Sequence, residues 1–204
     1  MKKEDIVADI GQIRSMMVRS SKFMSINGLS GVLIGCFAII GAAIAYLILT
    51  NEYGNLSKGL VPDLHIVGRM IFLGTSVLVL SVASSVYMAK LKAKKIGQSI
   101  WNPTSKALLM AVGLPLLTGG LFCIILLLNG NFSFISSCLL IFYGLALAAG
   151  SIYTFNEVRV LGILEICLGL LALAYPEYGI LFWALGFGVL HIIYGLIVHN
   201  KYEK

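Results

Sequence analysis

Charge is what this sequence has least of: only 12% of its 204 residues are Asp, Glu, Lys or Arg, where a soluble domain carries about a quarter. That scarcity excludes an ordinary water-soluble globule. Also missing are the signatures of familiar chemistry. There is no HExxH, P-loop, GxGxxG or G-x-S-x-G pattern, and His65, His191 and His199 are not at metal-ligand spacings. An enzyme with a soluble-type site is therefore not expected, nor is any metal or cofactor. The four cysteines (Cys36, Cys123, Cys138 and Cys167) all fall in apolar runs. They form neither a disulfide frame nor a CxxC pair and read as small buried apolar residues. No cleavable signal peptide is visible, because the first apolar run begins near residue 27 and is long enough to remain in place.

What is present is hydrophobicity, 59% of residues, with a mean hydropathy of +0.95. Six stretches, near 27–50, 66–89, 106–128, 132–154, 158–175 and 179–199, approach the roughly 20 residues that cross a hydrocarbon core of about 30 Å as a helix. Barrel strands would instead alternate polar and apolar over about ten residues each. The fold class expected is an all-α membrane bundle of six spans (27–199), with a leading segment 1–26 and a tail 200–204.

The net charge of +6 is unevenly spread. Lys2, Lys3, Arg14, Arg19 and Lys22 precede the first span, and Lys90, Lys92, Lys94, Lys95 and Lys106 lie between the second and third. Arg159, Lys201 and Lys204 fall on the same side, whereas the other side holds only Lys58 and Arg69. The asymmetry predicts both termini on the cytoplasmic side. Anionic lipid is then the expected electrostatic partner, not nucleic acid.

Ahead of the first span, Ile6, Ile10, Ile13 and Met17 form one helical stripe. This amphipathic helix either lies on the leaflet or docks a protein partner or second copy through residues 1–22. The 51–65 segment reads as an outside loop, and Asn55-Leu56-Ser57 fits a glycosylation sequon. The turns at Asn129-Gly130-Asn131 and Pro176-Glu177-Tyr178-Gly179 are tight.

Glycine spacing suggests three related hairpins. Gly28/Gly35, Gly113/Gly120 and Gly162/Gly169 share a G-x6-G interval, and "FYG" at 142–144 matches "IYG" at 193–195. Gly28, Gly31, Gly35, Gly162, Gly169, Gly188 and Gly195 are the expected packing positions, since small residues let helices approach closely in lipid. Pro115, inside the third span, is expected to kink it and is a candidate element of a binding site.

Two ionisable residues lie deep in apolar runs. Glu165 shares a helical face with Gly162, Gly169 and Ala172, and His191 shares one with Ala184, Gly188 and Gly195. They are almost equally far from the turn at Glu177–Tyr178, so a rise of about 1.5 Å per residue places them at one depth, in the cytoplasmic half of the membrane. A Glu165–His191 pair would titrate as a unit and, through histidine, respond near neutral pH. It serves either as a proton-handling site or as a staple between helices, with Tyr143 and Tyr194 as further partners.

The last hairpin, "GILEICLGLLALAYP" with "ILFWALGFGVLHIIYGLI", resembles the repeat of the HdeD-like family of small six-span bacterial membrane proteins. The matching residues are Gly162-Ile163-Leu164, Gly169-Leu170, Ala172-Leu173, Pro176 and Gly195; Glu165 departs from the usual apolar residue. The resemblance implies an inner-membrane protein linked to acid or envelope stress, with no catalytic residues to carry over. The function expected is a non-enzymatic membrane component for stress response or partner binding. The alternative is a proton-linked transporter or channel for a small solute, built around Pro115, Glu165 and His191.

Overall fold

The computed structural model describes residues 27–56, 64–95, 97 and 99–203, with side chains at 52–56 and 64 excepted. The amphipathic stripe of 1–26 and the serine of the sequon lie outside the described residues. Among the described residues six helical rods follow one another: α1 (Gly28–Leu56), α2 (Leu64–Lys95), α3 (Pro103–Leu128), α4 (Ile135–Gly150), α5 (Asn156–Ala174) and a composite last rod. The last rod runs without a break as α6 (Gly179–Trp183), a π-helical segment (Ala184–Leu190) and α7 (His191–Tyr202). There is no β-strand among the described residues.

Five rods are long and apolar enough to cross a membrane. The exception is α5, whose 19 residues include Glu157, Arg159 and Glu165. The rods bury little and turn large apolar side chains outward, such as Phe72 at 76%, Met110 at 79% and Leu128 at 82% exposure. In water such a surface would aggregate; in hydrocarbon it is the favoured one.

Local sequence sets the rod ends. Asn102 accepts the Ser105 N–H (2.8 Å) while the Ser105 hydroxyl accepts the Asn102 N–H (2.9 Å), and Pro103 follows as the first helical residue. This is a capping box with proline where no donor is needed. The turn from α3 to α4 passes through Gly130 at φ +72°, a conformation that a side chain disfavours. Pro176 opens the short 3-10 turn between α5 and the last rod.

Packing is not that of three equal hairpins. α1 lies against α2 on one side and the last rod on the other; α5 packs on α4, and α4 on α3. Several close approaches are glycine on glycine. A Cβ on Gly195 would lie 2.6 Å from the Gly28 carbonyl oxygen, and one on Gly35 2.5 Å from that of Gly188. Gly31 faces Gly195 and Tyr194 at 3.1 Å in the same sense. The α4–α5 crossing repeats the device: a Cβ on Gly144 would lie 2.6 Å from the Gly162 oxygen, and one on Gly169 2.9 Å from Ile141 N. Thus G-x6-G on α1 and α5 meets the glycine of "YG" on the last rod and α4. Gly113 and Gly120 of α3 have open space where their side chains would be. The third interval therefore makes no such crossing, and the repeat does not extend to three equivalent units.

One end of the bundle is clasped by charge. Glu203 accepts the Gly28 N–H (3.0 Å), pairs with Lys92 at the end of α2 (2.9 Å) and contacts His199 (2.7 Å). Lys201 pairs with Glu157 at the start of α5 (2.5 Å), and Phe155 stacks on Tyr202 at 4.2 Å.

Candidate functional site: a buried carboxylate, imidazole and phenol

Glu165 and His191 are among the most buried large side chains in the described protein, at 0% and 2% exposure. The structure places His191 Nδ1 3.4 Å from Glu165 Oε1. Both residues lie near mid-length of their rods.

The hydrogen-bond pattern fixes the imidazole. Nδ1 lies 3.0 Å from the Gly186 carbonyl oxygen, five residues back along the π-helical segment. A carbonyl only accepts, so Nδ1 carries the hydrogen and donates it there. In the neutral ring Nε2 is then the acceptor, and the Tyr143 hydroxyl, 2.8 Å away, donates to it. This explains why a 3.4 Å approach to Glu165 makes no hydrogen bond: the Nδ1 hydrogen is directed at Gly186. Neither carboxylate oxygen of Glu165 has a hydrogen-bond partner among the described residues.

Glycine and aromatic residues shape the space around the pair. A Cβ at Gly186 would run into Glu165 Oε2 and come within 2.6 Å of Leu140 Cδ2, so any larger residue there would displace the carboxylate or the leucine. Phe187 packs on Tyr143 (ring centroids 4.9 Å apart) and on Trp183 (5.3 Å) and stacks on His191 (6.0 Å).

The chemistry available is proton exchange. A second proton on the ring enters at Nε2 and turns the Tyr143 hydroxyl from donor to acceptor. The resulting imidazolium faces Glu165 at 3.4 Å, close enough for an ion pair with the carboxylate. Among the described residues no group of three or more His, Cys, Asp or Glu could hold a metal ion.

Other residues expected at the site lie elsewhere. Tyr194 packs with Phe155, Val158 and Val198. Pro115 sits inside a continuous α3, which packs principally on α4, so it does not join the pair. A groove of about 520 Å³ between α1 and α2, walled by Ile44, Ile48, His65, Arg69 and Phe72, is also separate from it. The sequence reading missed Gly186 and Phe187. Their signal was present in "GFG" (186–188) ahead of His191, but a period of 3.6 residues does not bring Gly186 O to the His191 ring, whereas the wider π turn does.

No family model, no curated protein and no solved structure matches this chain. Nothing beyond the quoted residues ties it to the HdeD-like family. What stands is a polytopic, helical, membrane-embedded protein.

Proposed function

We propose that this chain is a non-enzymatic, multi-pass protein of a bacterial inner membrane, with both termini cytoplasmic, that binds and releases protons at Glu165, His191 and Tyr143 as part of an acid- or envelope-stress response. The observation that carries the reading is the unused hydrogen-bonding capacity of Glu165. A staple between helices gains its stability from the bonds it makes, and among the described residues both Glu165 oxygens are without one at 0% exposure. Such a group costs stability, and ionisable groups kept in a membrane at that cost are functional as a rule. Anionic lipid at the basic face is the accompanying partner, with residues 1–22 the proposed route to a protein partner or second copy.

Trp183 offers the test, since Phe187 links it to the His191 ring. In a Trp101→Phe background, Trp183 fluorescence of the protein in lipid vesicles is expected to show a pH transition as the buried group gains or loses a proton. Glu165→Gln and His191→Gln should each abolish the transition. A wild-type transition that survives both substitutions refutes the proposal.

The transporter reading retains one supporting observation, the π-helical segment beside the pair, because such segments are frequent at functional sites. Liposomes showing pH-dependent flux that Glu165→Gln abolishes would favour it, and proton-tight vesicles would exclude it.

A further inference from the structure

Cys123 of α3 and Cys138 of α4 face each other with their sulfur atoms 3.1 Å apart, and both residues are buried. The register of the hairpin produces this opposition. The turn at Asn129–Asn131 closes an antiparallel pair centred between residues 130 and 131, so Gly119 meets Phe142, and one helical turn nearer the loop Cys123 meets Cys138. A Cβ on Gly119 would run into the Phe142 side chain; glycine there lets α3 lie close to α4. The Cys138 thiol also lies 3.6 Å from the Gly119 carbonyl oxygen, its acceptor. Helix packing therefore holds two thiols opposite each other with their sulfur atoms in contact.

We propose that Cys123 and Cys138 form a reversible dithiol–disulfide pair that locks α3 to α4 when a lipid-soluble two-electron acceptor of the quinone class oxidises it. Two S–H bonds break and one S–S bond forms. The two electrons and two protons pass to the quinone, which becomes a quinol; a thiol reductant reverses the change. The lock acts on a peripheral rod, since α3 joins the bundle principally through α4. Cys36 and Cys167 are exposed and serve as internal controls. The inference is independent of the proton site.

The experiment uses the full chain in lipid vesicles, treated with a quinone or with diamide, then unfolded in detergent with N-ethylmaleimide and analysed by peptide mass spectrometry. A peptide pair joining Cys123 to Cys138, lighter by two hydrogen atoms, is expected in place of the two alkylated peptides. Dithiothreitol should restore the alkylated forms. Cys123→Ser should leave Cys138 fully alkylated, without transfer of the link to Cys36 or Cys167. Recovery of Cys123 and Cys138 as alkylated thiols after both oxidants overturns the proposal, as does a link that persists in Cys123→Ser.

Discussion

Replacing Glu165 with methionine separates a proton site from a staple by the sign of the stability change. Methionine is unbranched, adaptable and close in length to glutamate, so it can occupy the same space beside Gly186 and Leu140. What disappears is a carboxyl group at 0% exposure with neither oxygen hydrogen-bonded among the described residues. A buried polar group left unsatisfied costs about 1–3 kcal/mol. The compensating loss is the approach of His191 Nδ1 at 3.4 Å, whose hydrogen is directed at Gly186, so it falls near the lower end of the roughly 0.5–1.5 kcal/mol of an ordinary hydrogen bond. The balance predicts that Glu165→Met stabilises the protein by about 1–2 kcal/mol at neutral pH. Titration with sodium dodecyl sulfate in mixed micelles, followed by Trp183 fluorescence, measures the difference, and the same protein should show no pH transition. Glu165→Gln keeps two polar atoms in the cavity and should remain within about 1 kcal/mol of wild type, also without the transition. A Met variant destabilised by about 2 kcal/mol or more would show that Glu165 holds the helices together, refuting the reasoning.

Three other outcomes follow from named contacts. Gly186→Ala forces a Cβ onto Glu165 Oε2 and to 2.6 Å from Leu140 Cδ2, so a loss of about 1–3 kcal/mol is expected in the same micelle titration, together with a shifted Trp183 pH midpoint. At Gly28 a Cβ would meet backbone rather than a movable side chain, His199 N and, at 2.5 Å, Gly195 O. Gly28→Ala should therefore loosen α1 from the last rod, seen as faster hydrogen exchange at the start of α1 with little change in α4. Glu203, just past the last rod, is pushed up by burial, but hydrogen bonds from His199, Lys92 and the Gly28 N–H outweigh this and hold its carboxyl below the ordinary range. A folded value below the unfolded one, about 4.3, means the stabilisation is fully present above that pH and is lost as pH falls through the folded value. Wild type should thus lose stability on acidification below about pH 4, a decline that Glu203→Gln should reduce while being less stable at neutral pH.

The resemblance of the last hairpin to a known family was legible only through glycine, leucine and one proline, residues that any closely packed membrane helix uses. They report on packing, which is why they could not by themselves settle kinship or activity. Pro115 shows a related limit: its identity in the sequence marked a kink and a candidate binding element, but which neighbours surround it depends on how α3 packs, and that is principally on α4.

Composition and periodicity alone determined that this is an all-α membrane protein of six rods. Bilayer thickness constrains run length, and lipid tolerates few charges, so both properties are written along the chain. The depth match of Glu165 and His191 was likewise readable, because a tight turn and a constant helical rise convert residue number into distance. Which faces meet is a different kind of fact. That α1 closes on the last rod, that the Gly186 carbonyl accepts the His191 Nδ1 hydrogen across a π turn, and that Cys123 faces Cys138 all depend on helix rotation and crossing. Those are set by side-chain interlocking between segments far apart in the chain, for which a linear sequence has no coordinate. Only the tertiary structure could decide them.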